Sequence, residues 1–164
     1  MTDTLYRTEP DGRYAIADSI TLTELLSITK SIVSEQYSDR EPFTSPTIVS
    51  NYVYAALAHK EREEFLCLFL DCRNRLVHEE VLFVGTIDGA SVHPREIIKT
   101  ALSHNAAALI IAHNHPSGVS APSQADEQIT RKINKACTLL NIRLLDHIVV
   151  GADGTTSFAS RGLL

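Results

Sequence analysis

Residues Ala106 to Asp126 read AAALIIAHNHPSGVSAPSQAD. The apolar run Ala106–Ala112 is strand-sized and leads straight into His113-Asn114-His115. In extended backbone, residues i and i+2 project to the same side, so the two imidazoles face one point at the strand's open end. Pro116 and Gly118 then turn the chain sharply. Seven residues separate His115 from Ser123, and Asp126 follows three after the serine. A helix predicted from Ser123 to Leu140 places Asp126 in its first turn, where a carboxylate can point back over the loop. Two histidine nitrogens, one aspartate oxygen and a water give a tetrahedral zinc site with an open position. Ser-x-x-Asp is also a capping-box-like helix start. The two roles are compatible, because a capped helix fixes where Asp126 points.

A hydrolytic zinc site also needs a general base beside the water. The candidates are Glu61, Glu63 and Glu64, at the entry to the buried strand predicted over Phe65–Asp71 (FLCLFLD). By alternation Glu63 shares a face with Phe65 and Cys67, and Glu64 with Leu66 and Leu68. The residues alone leave open which face looks at the metal.

Outward from this centre, helix-like and strand-like segments alternate from Phe43 onward. Ser45-Pro46 caps a helix over Thr47–His59. Leu76–Val84 is the hairpin partner of the first strand. A helix is predicted over Pro94–Ser103, a central strand over Ala108–Ala112, and strands over Ile142–Val150 and Thr155–Ala159. His113–Pro122 reads as loop. The pattern predicts an α/β sandwich with a mixed, largely antiparallel sheet. Residues 1–41 read as an N-terminal helical extension and linker, and 42–164 as the main domain. Within the extension, Thr21–Ser34 carries an apolar helical face and Ser34–Pro42 reads as linker. Asp11-Gly12 is a turn signal.

Composition sets the broad class. The 164 residues, 44% apolar and 21% charged, fit one ordinary domain with a short appendage. Three cysteines without tight pairing predict a reducing cytoplasm rather than a disulfide framework. No apolar run reaches the roughly 18–20 residues of a membrane helix, and MTDTLYRTEPDGRY is no signal peptide. A net charge of −5 argues against generic DNA binding.

The pattern Glu…His-x-His-(seven residues)-Ser-x-x-Asp resembles the JAMM motif of MPN-domain zinc metalloproteases. More closely, the chain resembles the RadC-like branch, the UPF0758 family. The matching stretches are EREEFLCLFLDCRNRL, VLFVGTIDGASVHPREIIKTAL, HNAAALIIAHNHPSGVSAPSQAD, LLDHIVVG and SFASRGLL, within about Phe43–Leu164. The resemblance implies a cytidine-deaminase-like α/β/α sandwich, the MPN/JAB fold. It implies one zinc ion per chain on His113, His115 and Asp126, with Glu63 as the base. It implies Ser123 as a donor to the oxyanion, and a peptide or protein substrate. RadC proteins proper carry an N-terminal helix-hairpin-helix segment suited to DNA. Residues 1–41 hold no Gly-hairpin pair of that type, so the chain reads as a short form of the family.

Two other function classes compete with the hydrolase: an interaction module with structural zinc, and a DNA-associated role. The apolar helix face at Leu22, Leu25 and Leu26 fits either a dimer or packing on the core alone. Among the remaining polar residues, His93 reads as lining the site or only orienting its loop, and Arg95 and Lys99 as a binding point for an acidic terminus or a solvated face. Asp146 and His147 are adjacent on a strand and face opposite ways, so they cannot both serve one site directly; either one supports it indirectly or both are satisfied buried polar groups. Asn114 points away from the metal. His59, His78 and His104 show no partner pattern, and Cys67 and Cys137 read as core thiols.

Overall fold

A computed structural model of the chain describes residues 6–10, 13–16, 19–38, 43, 45–85 and 92–164. The order of elements is β1 (Tyr6–Thr8), β2 (Tyr14–Ile16), α1 (Leu22–Ser38), α2 (Pro46–Leu57), β3 (Glu64–Leu70), β4 (Leu76–Val84), α3 (Pro94–Ser103), β5 (Ala108–Asn114), α4 (Gln124–Leu139), β6 (Arg143–Gly151) and β7 (Gly154–Ser157). Five strands form one sheet in the order β4-β3-β5-β6-β7. Only β5 and β6 run parallel; the other neighbours are antiparallel. This is the mixed, largely antiparallel α/β architecture that the sequence predicts.

Sheet alternation explains the two cores. In β3, Leu66, Leu68 and Leu70 face α2 and pack with Val49, Tyr52, Val53 and Leu57. Phe65, Cys67 and Phe69 face the other way, onto Ile97 and Ala101 of α3 and Ile133 and Cys137 of α4. A strand covered on both faces reads as a continuous apolar run, which is why FLCLFL and ALIIA carry no alternation. On one side, Glu79 of β4 takes a hydrogen bond from Tyr52 of α2 and an ion pair from Lys30 of α1 at 2.7 Å. That contact ties both helices to the edge strand. On the other side, His78 and His104 stack at 3.8 Å and lie against Phe69. Helices α3 and α4 are each followed by an asparagine with positive φ, Asn105 (51°) and Asn141 (55°). Asparagine tolerates this left-handed conformation at a helix end.

Several boundaries differ from the sequence reading. α1 continues through Ser38, because Ser34–Ser38 contains no glycine or proline to stop it; the rest of the expected linker, 39–42, lies outside the described residues. β5 extends through His113 and Asn114, which pair with Val149 and Val150 of β6, so these two residues belong to the strand rather than the loop. β7 stops at Ser157, since the Ala159 amide donates instead to the Asp146 carboxylate at 2.9 Å. The β1–β2 hairpin is unanticipated, with strands of three residues too short to show a pattern. Its Asp11-Gly12 turn signal lies outside the described residues. Among the described residues no helix is long and apolar enough to cross a membrane, and all three cysteines are free thiols.

Phe69 is fully buried at the centre of the α3–α4 face. Phe69→Ala is expected to cost about 3–5 kcal/mol. A urea titration should show the loss as a lower midpoint with an unchanged slope.

Candidate metal centre

β5 delivers His113 and His115 at its carboxyl end, and α4 starts where the loop after that strand returns. The crevice beyond the carboxyl ends of parallel strands is the usual ligand position in such sheets. His113 is 1% exposed and lies opposite Phe65 of β3, whose ring stacks on it at 6.0 Å and 11°. His115 donates its own amide to the Val150 carbonyl at 2.8 Å. Its ring Nδ1 donates to the Val119 carbonyl at 2.8 Å, so in the neutral ring the Nε2 lone pair is turned to the site. The loop carrying Val119 is clamped by the β6–β7 turn, where Asp153 accepts from the Ser120 amide at 2.9 Å. Gly151 permits this closeness, since a Cβ there would stand 2.5 Å from the Ser120 nitrogen.

Asp126 comes from the first turn of α4. Ser123 is the N-cap: its Oγ accepts from the Asp126 amide at 3.2 Å, and Asp126 Oδ2 accepts from the Ser123 amide at 2.7 Å. This capping box aims the carboxylate at the histidines. His113 Nε2 lies 3.0 Å from His115 Nε2 and 3.2 Å from Asp126 Oδ1, and His115 Nε2 lies 3.3 Å from Asp126 Oδ2. Ligand atoms of a tetrahedral zinc with bonds of about 2.0–2.1 Å stand about 3.3 Å apart. Two imidazole nitrogens and a carboxylate oxygen converging at that spacing fit a divalent ion, and this group could bind a metal.

Electrostatics follow from the crowding. Burial alone would raise the Asp126 pKa. The His113 and His115 imidazoles beside it and the hydrogen bond from Ser123 outweigh that and hold it well below the carboxylate range. The Asp126 hydrogen bond raises His115, against the opposing pull of burial, with the Val119 carbonyl and the Glu63 charge adding to the rise. The raised His115 value stabilises the metal-free fold at low pH, and that contribution fades as pH rises through the folded value. A metal ion competes with the same proton, so its binding strengthens in that direction. Burial pushes His147 well below the ordinary imidazole value and keeps it neutral.

The three glutamates separate in space. Glu64 pairs with Lys60 at 3.3 Å, and Glu61 is exposed. Glu63 is half-buried, and its charge acts on His115. Continuing the Phe65–His113 pairing by two residues sets Glu63 opposite His115. Asn114 turns to the other face of β5. Its Oδ1 accepts from the Glu64 amide at 2.8 Å, and its Nδ2 donates to the carbonyls of Arg62 (2.9 Å) and Lys60 (3.2 Å). One buried asparagine thus splices the glutamate segment to the strand that bears the histidines.

Of the adjacent pair on β6, Asp146 serves the C-terminal turn, accepting from Ser157 Oγ at 2.6 Å and the Ala159 amide. His147 faces the site, with Nε2 2.8 Å from His113 Nδ1 and Nδ1 2.6 Å from Thr130 Oγ1. Sequence reasoning missed Thr130. The available signal was its place one helical turn after Asp126. His93 is the N-cap of α3 with its ring edge-on to Phe83, and Arg95 and Lys99 are exposed.

The family model of the RadC-like JAB domain matches residues 43–163. A UPF0758 protein of Vibrio atlanticus is 51% identical over 146 residues, 89% of this chain and 65% of its own length. Relatives in Thioalkalivibrio sulfidiphilus and Nitrosococcus oceani, also UPF0758 proteins, are 52% and 50% identical over 143 and 149 residues. These alignments cover 87% and 91% of the chain and 64% and 66% of the relatives. The chain therefore spans about two thirds of the length of the curated relatives it matches.

Replacing Asn114 tests the splice. Asn114→Ala leaves the half-buried Glu64 amide and two carbonyls without their partner. It is expected to lower stability by about 1–3 kcal/mol in chemical denaturation.

Proposed function

The chain belongs to the RadC-like JAB domain family, and on that premise we propose that it is a zinc-dependent hydrolase of the metallopeptidase or isopeptidase type. The observation that carries the reading is the convergence of His113 Nε2, His115 Nε2 and the Asp126 carboxylate at 3.0–3.3 Å. His113, His115 and Asp126 would hold the ion and leave a fourth position open. Bound zinc supplies a water acidified toward a pKa of about 7 and an electrophile for the scissile carbonyl. Glu63 accepts the proton of the attacking water and returns it to the departing amine. The Ser123 hydroxyl accepts from the Asp126 amide through its oxygen. Its own hydrogen stays free to donate to the developing oxyanion. Glu64, tied to Lys60, is not the base in this reading.

Elemental analysis of protein purified without added metal is expected to find about one zinc per chain, lost in His115→Ala while circular dichroism stays native. A wild type that stays metal-free even after zinc is supplied overturns the reading. Glu63→Gln is expected to keep the zinc and lose about 10²–10⁴-fold in turnover of a peptide library followed by mass spectrometry. Unchanged turnover would remove Glu63 from the mechanism.

A further inference from the structure

Behind the ligands runs a buried chain of hydrogen bonds that no step of the proposed hydrolysis uses. It links the Asp126 carbonyl, Thr130 Oγ1, His147 and His113 at 2.5, 2.6 and 2.8 Å. We propose that Thr130 and His147 are positioning residues that lock His113 in the tautomer whose bare Nε2 faces the ion. The inference rests on the metal-holding part of the preceding reading and not on its hydrolytic part.

The direction of the chain follows from its first member. A carbonyl oxygen can only accept. Two oxygens 2.5 Å apart repel unless a hydrogen lies between them, and only Thr130 has one to give. Its single hydrogen is then committed to Asp126, so toward His147 the Thr130 oxygen is an acceptor. His147 must place its hydrogen on Nδ1, which leaves its Nε2 as an acceptor. His113 must in turn donate from Nδ1. Its Nε2, 3.2 Å from the Asp126 carboxylate, is left as a lone pair. The reverse polarity would put a hydrogen on the very atom that has to bind a cation.

Burial protects this ordering. Thr130, His147 and His113 are each exposed by 1% or less. The Phe158 ring stacks on His147 at 4.6 Å, and Phe65 covers both histidines. The side chains of the relay are therefore shielded from bulk solvent. Asp126 therefore acts on the site twice, by its carboxylate in front of His113 and by its main-chain carbonyl behind it. Outer partners of this kind are typically worth about 10–100-fold in metal affinity.

The test uses the full chain, stripped of metal and titrated with zinc against a chromophoric chelator. Nitrogen-resolved NMR of the imidazoles reports the tautomers in parallel. Thr130→Val keeps the shape and removes the hydroxyl, whereas Thr130→Ser restores it. Wild type and Thr130→Ser are expected to show His113 protonated on Nδ1. Thr130→Val is expected to populate the Nε2–H form and to bind zinc about 10–100-fold more weakly. Cobalt substitution adds a readout of ligand geometry, and its visible spectrum should shift in Thr130→Val alone. Equal zinc affinity in wild type and Thr130→Val overturns the inference and leaves the hydrolase reading standing. Equal losses in Thr130→Val and Thr130→Ser overturn it too, because the hydroxyl would then not be what matters. A wild type that binds no zinc overturns both. Zinc binding that responds as expected, in a protein that hydrolyses nothing, supports the inference while the hydrolase reading falls.

Discussion

The reciprocal hydrogen bonds between Ser123 and Asp126 are the contact on which the site depends. They begin α4, and they also fix the direction of a carboxylate that would otherwise be free to turn to solvent. The helix start carries the positive end of the peptide dipoles, which favours a negative charge there. With Asp126 held, the two imidazoles at the end of β5 meet a fixed anion. The cost of burying that anion is offset by the hydrogen bonds it receives. Each of the three side chains is thus braced from outside the cluster: Asp126 by the N-cap, His115 by a loop carbonyl and His113 by the His147 side chain.

Much of this was legible because it is local. Extended backbone puts His113 and His115 on one side, and a helix cap aims Asp126; both effects act within a few residues. The apolar runs of β3 and β5, the hairpin that joins β3 to β4 and the proline-led starts of α2 and α3 are local as well. Contacts made across the chain could not be read in the same way. Asn114 meets Lys60, Arg62 and Glu64 some fifty positions earlier. His147 reaches His113 only because β6 lies parallel to β5 with Ile111 opposite His147. Alternation alone said that Asp146 and His147 part company, but it did not say which one turns to the metal side. Thr130 carried no motif, because its role exists only once His147 is in place. The β1–β2 hairpin escaped for a different reason: three residues are fewer than a period-two pattern needs.

The face of the sheet that bears the site is also the one with most of the histidines. His78 and His104 stack beside Phe69, away from the ligands, and serve packing rather than chemistry. The number of histidines was therefore a poor guide. What distinguishes His113 and His115 is that each spends Nδ1 on a defined partner and turns Nε2 to a common point.

The chain order of these parts bears on how the site comes together during folding. His113, His115 and Asp126 lie within one strand-to-helix connection, and closing so short a loop costs little conformational entropy. Glu63 and His147 arrive from β3 and β6, whose pairing with β5 requires the sheet itself. The convergence of His113, His115 and Asp126 can therefore form as a local unit, while the approach of Glu63 and His147 waits for long-range contacts. Three of the converging side chains are thus close in sequence, and the two that complete the cluster come from either side of β5 in the sheet.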